Sequence, residues 1–566
     1  MTRLRLAASV GLLTLSLGAV AVAAPPQDRP RPSTVLAGDR DVAAMVDLET
    51  KMADSLQFGH AVPVVFDSPA QLPGHVVAAP YWGDTALWSG VYLGGEALRY
   101  ATARDYLSGH GKGRSDAAPG HDKRGDPDFW TAQRDEALTR VRTLLTAEHR
   151  DINIAEDWTG ELKVPPAVNT SDPTGAHTAD FGGGIVHGER GMVTRGCTPV
   201  GLGPLGVSPP NHDAANPIND HSNHVFQITW THGDGRTYNC ETSPSRDTYA
   251  GLTFGLLTAY DLVGPDAPDL QVQIREDLLS MAGFLLKYGW NYPRPNGYVG
   301  THSDEDGFLS PLMPHVPMAR LNIANAARHV ASSPADRQHW EAVWAEELAS
   351  QGPLLGASME VDAFQPNEGY FKLNLHHLTG FNLLRTLTGT ERDVVARGFA
   401  VMDKTTRDDL NAHFEAITYA LTGEPSRRDA AVTHLEQWLT YRTNSERVRN
   451  SARCGSSLAC VPQDQAGFAV EQAPGGTVTW DPGAPEAPPV SSAARLRAQA
   501  PLPVGVRPPT DFLWQAPPTA LDGDRDPSSR EPGIDFLTPY WMLRYYTEVA
   551  PVALAPLPEW VAPAHV

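Results

Sequence analysis

The stretch from Ser243 to Gly264 constrains this chain more than any other. Gly251, Gly255 and Ala259 recur every fourth residue, so on a helix they form one stripe of small residues where a second helix can approach closely. Tyr249, Leu252, Phe254, Leu256, Leu257, Tyr260 and Leu262 fill the other faces. A helix apolar nearly all round must be buried on every side. Ser243-Pro244 reads as its start signal, with Arg246 and Asp247 in the first turn, and Gly264-Pro265 as its stop. Such a helix belongs to an inner layer, with its N-terminus opening into a cavity.

The same kind of helix recurs along the chain, each time followed by one of a different kind. Residues 84–106 are apolar and carry Gly94 and Gly95, whereas 127–149 alternate Ala137, Val141 and Leu144 with Arg134, Asp135, Glu136, Arg140 and Arg142. That second pattern is an amphipathic surface helix. The pairs continue as 245–263 with 269–288, 316–332 with 335–350, 374–388 with 391–406, and 409–422 with 426–442. A last helix, 538–548, opens on Thr538-Pro539 and pairs with the first, 41–56. Short glycine stops at Gly264, Gly389 and Gly423 close three of these hairpins. Hairpins with one buried and one half-exposed helix either stack openly or close on themselves. Twelve helices with a doubly buried set favour closure, so the expected fold is all-α, an (α/α)6 toroid, with an open solenoid as the alternative.

Loop lengths then point to one rim. The connections 57–83, 150–244, 289–314, 351–373 and 443–537 are long, and in a closed ring they all emerge at the N-terminal ends of the inner helices. Long loops on one edge of a compact scaffold usually carry function. Within the insertion 150–244, Phe226, Ile228 and Trp230 alternate, and Gly233-Asp234-Gly235 turns into a second strand, giving a β-hairpin. The insertion 445–533 is proline-rich and expected to be extended.

The ends of the chain and its charge bound its partners. Arg3 and Arg5, an apolar run to Ala24, and Ala21-Val22-Ala23 have the order of a secretory signal cleaved after Ala23, followed by a flexible leader over 24–40. Residues 41–566 then form a single domain carrying both insertions, expected to be soluble, monomeric, and secreted or periplasmic. The formal charge is −21, which disfavours nucleic acid and anionic membrane surfaces as partners, since both reward a basic face. Four cysteines in an oxidising compartment form two disulfides most simply, and the most local pairing is Cys197 with Cys240 and Cys454 with Cys460.

Polar residues collect at the starts of the inner helices. Asp84, Asp247, Asp306 and Glu368 are the candidate catalytic acids, and Asp84 with Asp247 is the preferred pair. Around them lie Trp82, Trp88, Arg246, His302, Tyr370, Asn374, His376, His413, Tyr540 and Trp541, the candidate substrate-binding set. Two carboxyl groups facing each other across an aromatic-lined cleft are what glycosidic cleavage requires, one protonated to release the leaving oxygen and one ionised to activate water or attack. The competing role for each Asp is that of a helix cap or dipole partner, and for each Trp or Tyr that of core. A second chemistry, polysaccharide lysis, would use Arg246, His302, Tyr370, Asn374 and His376 to neutralise a uronate and abstract its neighbouring proton. The chain's acidity argues against an anionic glycan unless the cleft is locally basic.

No cofactor is expected. His221-x-x-His224 brings two imidazoles within reach of a metal, but the spacing matches no specific zinc motif. Asp522-x-Asp524-x-Asp526 with Glu531 resembles part of a calcium loop, yet Pro527 stands where an EF-hand needs glycine, which leaves only a looser calcium site. The chain has no G-x-S-x-G, P-loop or H-E-x-x-H motif, so serine hydrolase, P-loop nucleotide and zincin chemistries are disfavoured.

With hairpins ending in Leu-Thr-Gly or Leu-Val-Gly, and Trp-Gly-Asp84 and Ser-Arg-Asp247 opening two inner helices, the chain resembles the secreted (α/α)6-toroid carbohydrate-active proteins. That group includes unsaturated glucuronyl hydrolases and toroidal polysaccharide lyases. The resemblance implies a glycan-cleaving enzyme, or a non-catalytic glycan-binding envelope protein, acting on a poly- or oligosaccharide. It covers the helical pattern and leaves both large insertions outside.

Overall fold

The computed structural model describes residues 39–67, 76–79, 84–109, 126–153, 190–199, 227–231, 235–241, 244–290, 315–355, 370–442, 469–472, 476–479, 514, 529–530, 532–550 and 557. These residues are mostly helical. Twelve α-helices occur among these residues: α1 (Asp39–Ser55), α2 (Thr85–Leu107), α3 (Pro127–Ile152), α4 (Arg246–Leu262), α5 (Pro268–Lys287), α6 (His315–Val330), α7 (Pro334–Gln351), α8 (Tyr370–Thr386), α9 (Gly389–Thr406), α10 (Ala412–Thr422), α11 (Pro425–Arg442) and α12 (Ile534–Glu548). None is long and apolar enough to cross a membrane.

The two helix types separate as their sequences require. From Thr85 to Ala103 every residue of α2 is buried, and α4 is buried from Thr248 to Ala259, while α3 buries only its apolar stripe and a few polar partners. Helix α2 packs against α3, α4 and α12; α4 against α5, α6 and α8; α8 against α6, α9 and α10; and α10 against α11 and α12. The C-terminal ends of the buried helices are tied together. Arg104 donates to the Leu262 carbonyl at 2.9 Å, His329 meets Asp261 at 2.8 Å, and Arg385 pairs with the same Asp261. Tyr106 donates to Glu548, and Thr547 donates to Tyr419 at 3.2 Å. Six buried helices therefore end on one side.

Among the helix starts that differ from expectation, three have a local reason, whereas α8 begins at Tyr370 and not at 374. The cap of α4 is Ser245, not Ser243: its hydroxyl accepts from the Thr248 N–H while Thr248 returns a bond to the Ser245 N–H, the reciprocal arrangement of a capping box. Helix α10 begins at 412, because Asn411 caps it by accepting from His413 and Phe414 at 3.1 and 3.2 Å. Helix α12 begins at 534, so Thr538-Pro539 lies inside the helix and not at its start. A proline there has no N–H to give the carbonyl four residues back. That carbonyl belongs to Asp535, and the Trp514 indole donates to it instead.

Strands are short. β1 (Leu56–Gln57) pairs with β2 (His60–Ala61), and β3 (Val64–Phe66) lies between β4 (Val76–Ala78) and β10 (Ser529–Arg530). The expected hairpin is present as β6 (Gln227–Thr231) and β7 (Thr237–Glu241), with an unforeseen third strand, β5 (Gly196–Pro199), on the far side of β7. β8 (Ala469–Gln472) and β9 (Gly476–Thr479) form a separate antiparallel pair. In the β5–β7 ladder Cys197 lies opposite Cys240, and the two form the expected disulfide. Cys454 and Cys460 lie outside the described residues.

A buried charge network joins the first helix to the last. Glu49 of α1 accepts from Tyr92 and Trp541, both at 2.9 Å, and pairs with Arg99 at 3.2 Å and with Arg140. Glu96 meets Arg99 at 3.1 Å. Burial pushes Glu96 up to about 8, with the neighbouring Glu49 charge adding to the rise, while Arg99 and Arg140 oppose it.

Candidate functional site

The glycine stripe sets the geometry of the site. A Cβ on Gly251 would sit 2.3 Å from the Leu87 carbonyl oxygen, and one on Gly255 would sit 2.2 Å from that of Gly90. Any side chain at these positions would hold the helices apart, so glycine lets α2 and α4 lie backbone to backbone. Residue 87 meets 251 and residue 90 meets 255, so the helices run in the same direction with matched register. Four residues before Gly251 on the same face stands Asp247, and three before Leu87 stands Asp84. The close contact thus brings the starts of the two helices, and their acids, to one edge.

Neither acid caps its helix through its side chain. Asp84 occupies the cap position of α2, yet its side chain makes no capping hydrogen bond. The Arg195 carbonyl accepts the Ala86 N–H at 2.9 Å in its place, which meets one of the orphan donors of a helix start. The Asp84 carboxylate lies 3.4 Å from Nη1 of Arg195, whose side chain is 3 % exposed. At α4 the cap is Ser245, and Asp247 is the second helical residue. Asp247 is partly open to solvent. Burial raises its carboxyl above the ordinary aspartate value, against the pull of Arg246, Arg195 and Lys372. One acid faces a guanidinium that matches its ionised form, and the other is biased toward holding its proton.

Arg195 and Lys372 were not among the sequence candidates. Lys372 is the third residue of α8, in its first turn, as Asp247 is in the first turn of α4. Arg195 had only its closeness to Cys197 as a signal. Its approach to Asp84 spans 111 residues of chain, which no local pattern encodes.

Other candidates occupy a second group with a structural character. The Tyr370 hydroxyl donates to Asp409 at 2.9 Å, and Asn411 donates to Tyr370 at 3.3 Å and to the Trp514 carbonyl at 3.0 Å. Trp438 donates to the Asp535 carboxylate at 3.0 Å. Trp88, Asn374, His376, His413, Tyr540 and Trp541 are buried. Burial pushes His413 down to about 3, so its ring is neutral near neutral pH. Tyr540 accepts from Arg544 at 3.0 Å, and Trp541 serves Glu49. Trp82, His302, Asp306, Glu368, His221, His224, Asp522, Asp524, Asp526 and Glu531 lie outside the described residues. Among the described residues no group of three or more His, Cys, Asp or Glu side chains is arranged to hold a metal ion.

Compared with known proteins, the chain matches no family model, no curated protein and no solved structure.

Proposed function

We propose that this chain is an exported glycan-cleaving enzyme built on an (α/α)6 toroid, a glycoside hydrolase in which Asp84 and Asp247 form the carboxylate pair. The observation that carries the reading is the pairing of an acid at the cap position of α2 with an acid in the first turn of α4, on helices in backbone contact, neither serving as a side-chain cap, in two different electrostatic settings. A carboxyl biased toward its protonated form suits the general acid, and one facing a guanidinium suits the base or nucleophile. The toroid is supported by the sequence of helix neighbours from α2 through α4, α6, α8 and α10 to α12 and back to α2, with α4 also meeting α8, and by the shared side on which the buried helices end. Export is supported by the signal-like residues 1–23 and is compatible with the Cys197–Cys240 disulfide.

A second reading has its own support. Arg195, Arg246 and Lys372 all act on Asp247, so this edge is locally basic although the chain as a whole is acidic. That favours an anionic glycan and keeps a polysaccharide lyase in view. Incubation of the purified protein with acidic and neutral polysaccharides separates the two. New reducing ends without unsaturated-uronate absorbance mean hydrolysis, and both signals together mean elimination. Binding without cleavage would leave a glycan-binding protein. Full activity in both Asp84→Asn and Asp247→Asn would remove the carboxylate pair.

A further inference from the structure

We propose that Arg195 is the positioning residue of the Asp84–Asp247 pair, delivered to the edge of α2 and α4 by a docked segment of the insertion, so that the pair is complete only while residues 190–199 are seated. This inference rests on the carboxylate-pair reading above and adds to it the residue that holds the pair in order.

Four bonds seat the segment, three of them hydrogen bonds between backbone groups. The Gly191 N–H donates to the Ile152 carbonyl at 3.1 Å and the Thr194 N–H to the Asp151 carbonyl at 2.9 Å, both at the C-terminal end of α3. Gly191 has a φ of +92° and lies so near α5 that a Cβ would stand 2.1 Å from the Ser280 carbonyl oxygen. Only glycine meets both conditions. Beyond Arg195, the Cys197–Cys240 disulfide joins β5 to β7. The fourth contact is Arg195's own carbonyl on the Ala86 N–H. The residue therefore uses its backbone to complete the start of α2 and its side chain to face Asp84.

The two roles of Arg195 make its side chain more than a filler. A guanidinium that is 3 % exposed is desolvated, and a desolvated cation is retained only against negative charge. Asp84 supplies that charge at 3.4 Å. Asp247, on the matched register of α4, also feels Arg195, together with Arg246 and Lys372. A fixed cation that acts on both acids does two things at once. It holds one carboxylate in place as an ion, and it limits how far burial can raise the other, so that the second acid can still release and regain a proton. Arg246 and Lys372 stand on the helices themselves, whereas Arg195 comes from outside them, so its presence depends on docking.

The test reads protonation directly and needs no substrate. Full-length protein is labelled with a water-soluble carbodiimide and glycine ethyl ester over a pH series, and modification of Asp84 and Asp247 is followed by mass spectrometry. In Arg195→Met the labelling midpoint of Asp247 is expected to move up by about one pH unit, as removal of a nearby opposite charge requires, and Asp84 labelling is expected to rise several-fold. Arg195→Lys should restore most of both changes. Arg190→Met, in the same segment but paired with Glu276 at 3.4 Å, should leave the Asp247 midpoint in place. Amide exchange at Ala86 reports docking, because its acceptor is backbone in every variant. An unmoved Asp247 midpoint in Arg195→Met with the Ala86 amide still protected overturns the proposal. So does an equal shift in Arg190→Met, which would make the effect one of docking and not of the Arg195 charge. If Asp247 moves as expected while Asp84→Asn and Asp247→Asn still cleave glycan at the normal rate, the carboxylate-pair reading fails separately.

Discussion

Helix α4 carries an aspartate near each end, and the two stand in opposite circumstances. Asp247, in the first turn, has its carboxyl raised by burial despite three nearby cations. Asp261, in the last turn, would also be raised by burial, but Arg385 and His329 outweigh it and hold the group below the ordinary value. The helix dipole predicts the reverse, since it favours negative charge at the N-terminus and opposes it at the C-terminus. Its worth is about 0.3–1 kcal/mol at an exposed end, and the shifts at both ends run against it. Local partners therefore decide. At the C-terminal side charges are matched in contact, with Asp261 joining α4 to α6 and α8. At the N-terminal side the acids are placed with cations near them and the caps are made by other groups. The first arrangement is a fastening and the second is a site.

The largest effect expected from this contrast is on turnover. Asp84→Asn and Asp247→Asn should each lower glycan cleavage by about 10²–10⁴-fold, the usual span for loss of an acid or base, while the denaturation midpoint of Asp247→Asn stays close to the parent and that of Asp84→Asn falls, because Arg195 is left buried without its counter-charge. Asp261→Asn should keep turnover. If Asp261→Asn abolishes cleavage and Asp247→Asn does not, the assignment of the two ends is inverted. Next comes Gly251→Ala, whose methyl would stand 2.3 Å from the Leu87 oxygen. It should destabilise the fold by about 1–3 kcal/mol through overpacking and reduce turnover as well, because separating α2 from α4 separates the acids. Gly283→Ala on α5, with nothing within 4 Å of the added carbon, serves as its control and should gain up to about 1 kcal/mol from helix propensity. Smaller again is the stability cost of Asp261→Asn, about 1–2 kcal/mol for a partly buried ion pair, read by chemical denaturation. No change there would mean that the fastening at the C-terminal side does not hold the helices.

Helix placement was readable because burial is periodic. The stripe of Gly251 and Gly255 indicates a close helix neighbour, and the structure supplies α2. Cys197 and Cys240 were likewise pairable, since only four cysteines had to be matched. Failures came where a local signal had a distant answer. Thr538-Pro539 looks like a helix start because a proline forfeits a hydrogen bond, and no nearby residue reveals that Trp514 supplies the missing donor. Asp84 looks like a cap because it occupies the cap position, and only the fold reveals that Arg195 takes over the Ala86 N–H. The aromatic candidates failed to separate for a simpler reason. Trp88, Tyr540 and Trp541 are large and flat whether they stack on a ligand or on a neighbouring helix, and here they are buried with the core.

The smallest predicted effect divides the two aspartates by sign. For Asp247 the native carboxyl is raised above the ordinary aspartate value of 3.8, so above that pH the native state holds more proton than the unfolded chain. Its contribution to stability is complete below that value and is lost as pH rises through the native one. Asp247→Asn removes this loss, so the variant should gain on the parent as pH increases from about 4 upward. For Asp261 the native carboxyl is lowered, and its contribution is present above 3.8 and lost as pH falls through the native value. The deficit of Asp261→Asn should therefore shrink on acidification. Denaturation midpoints of the parent and both variants over about pH 3 to 7 measure the two slopes. Slopes of the same sign would mean that both ends of α4 are fastened alike, and Asp247 would then lose the electrostatic distinction on which its role as the proton-bearing acid depends.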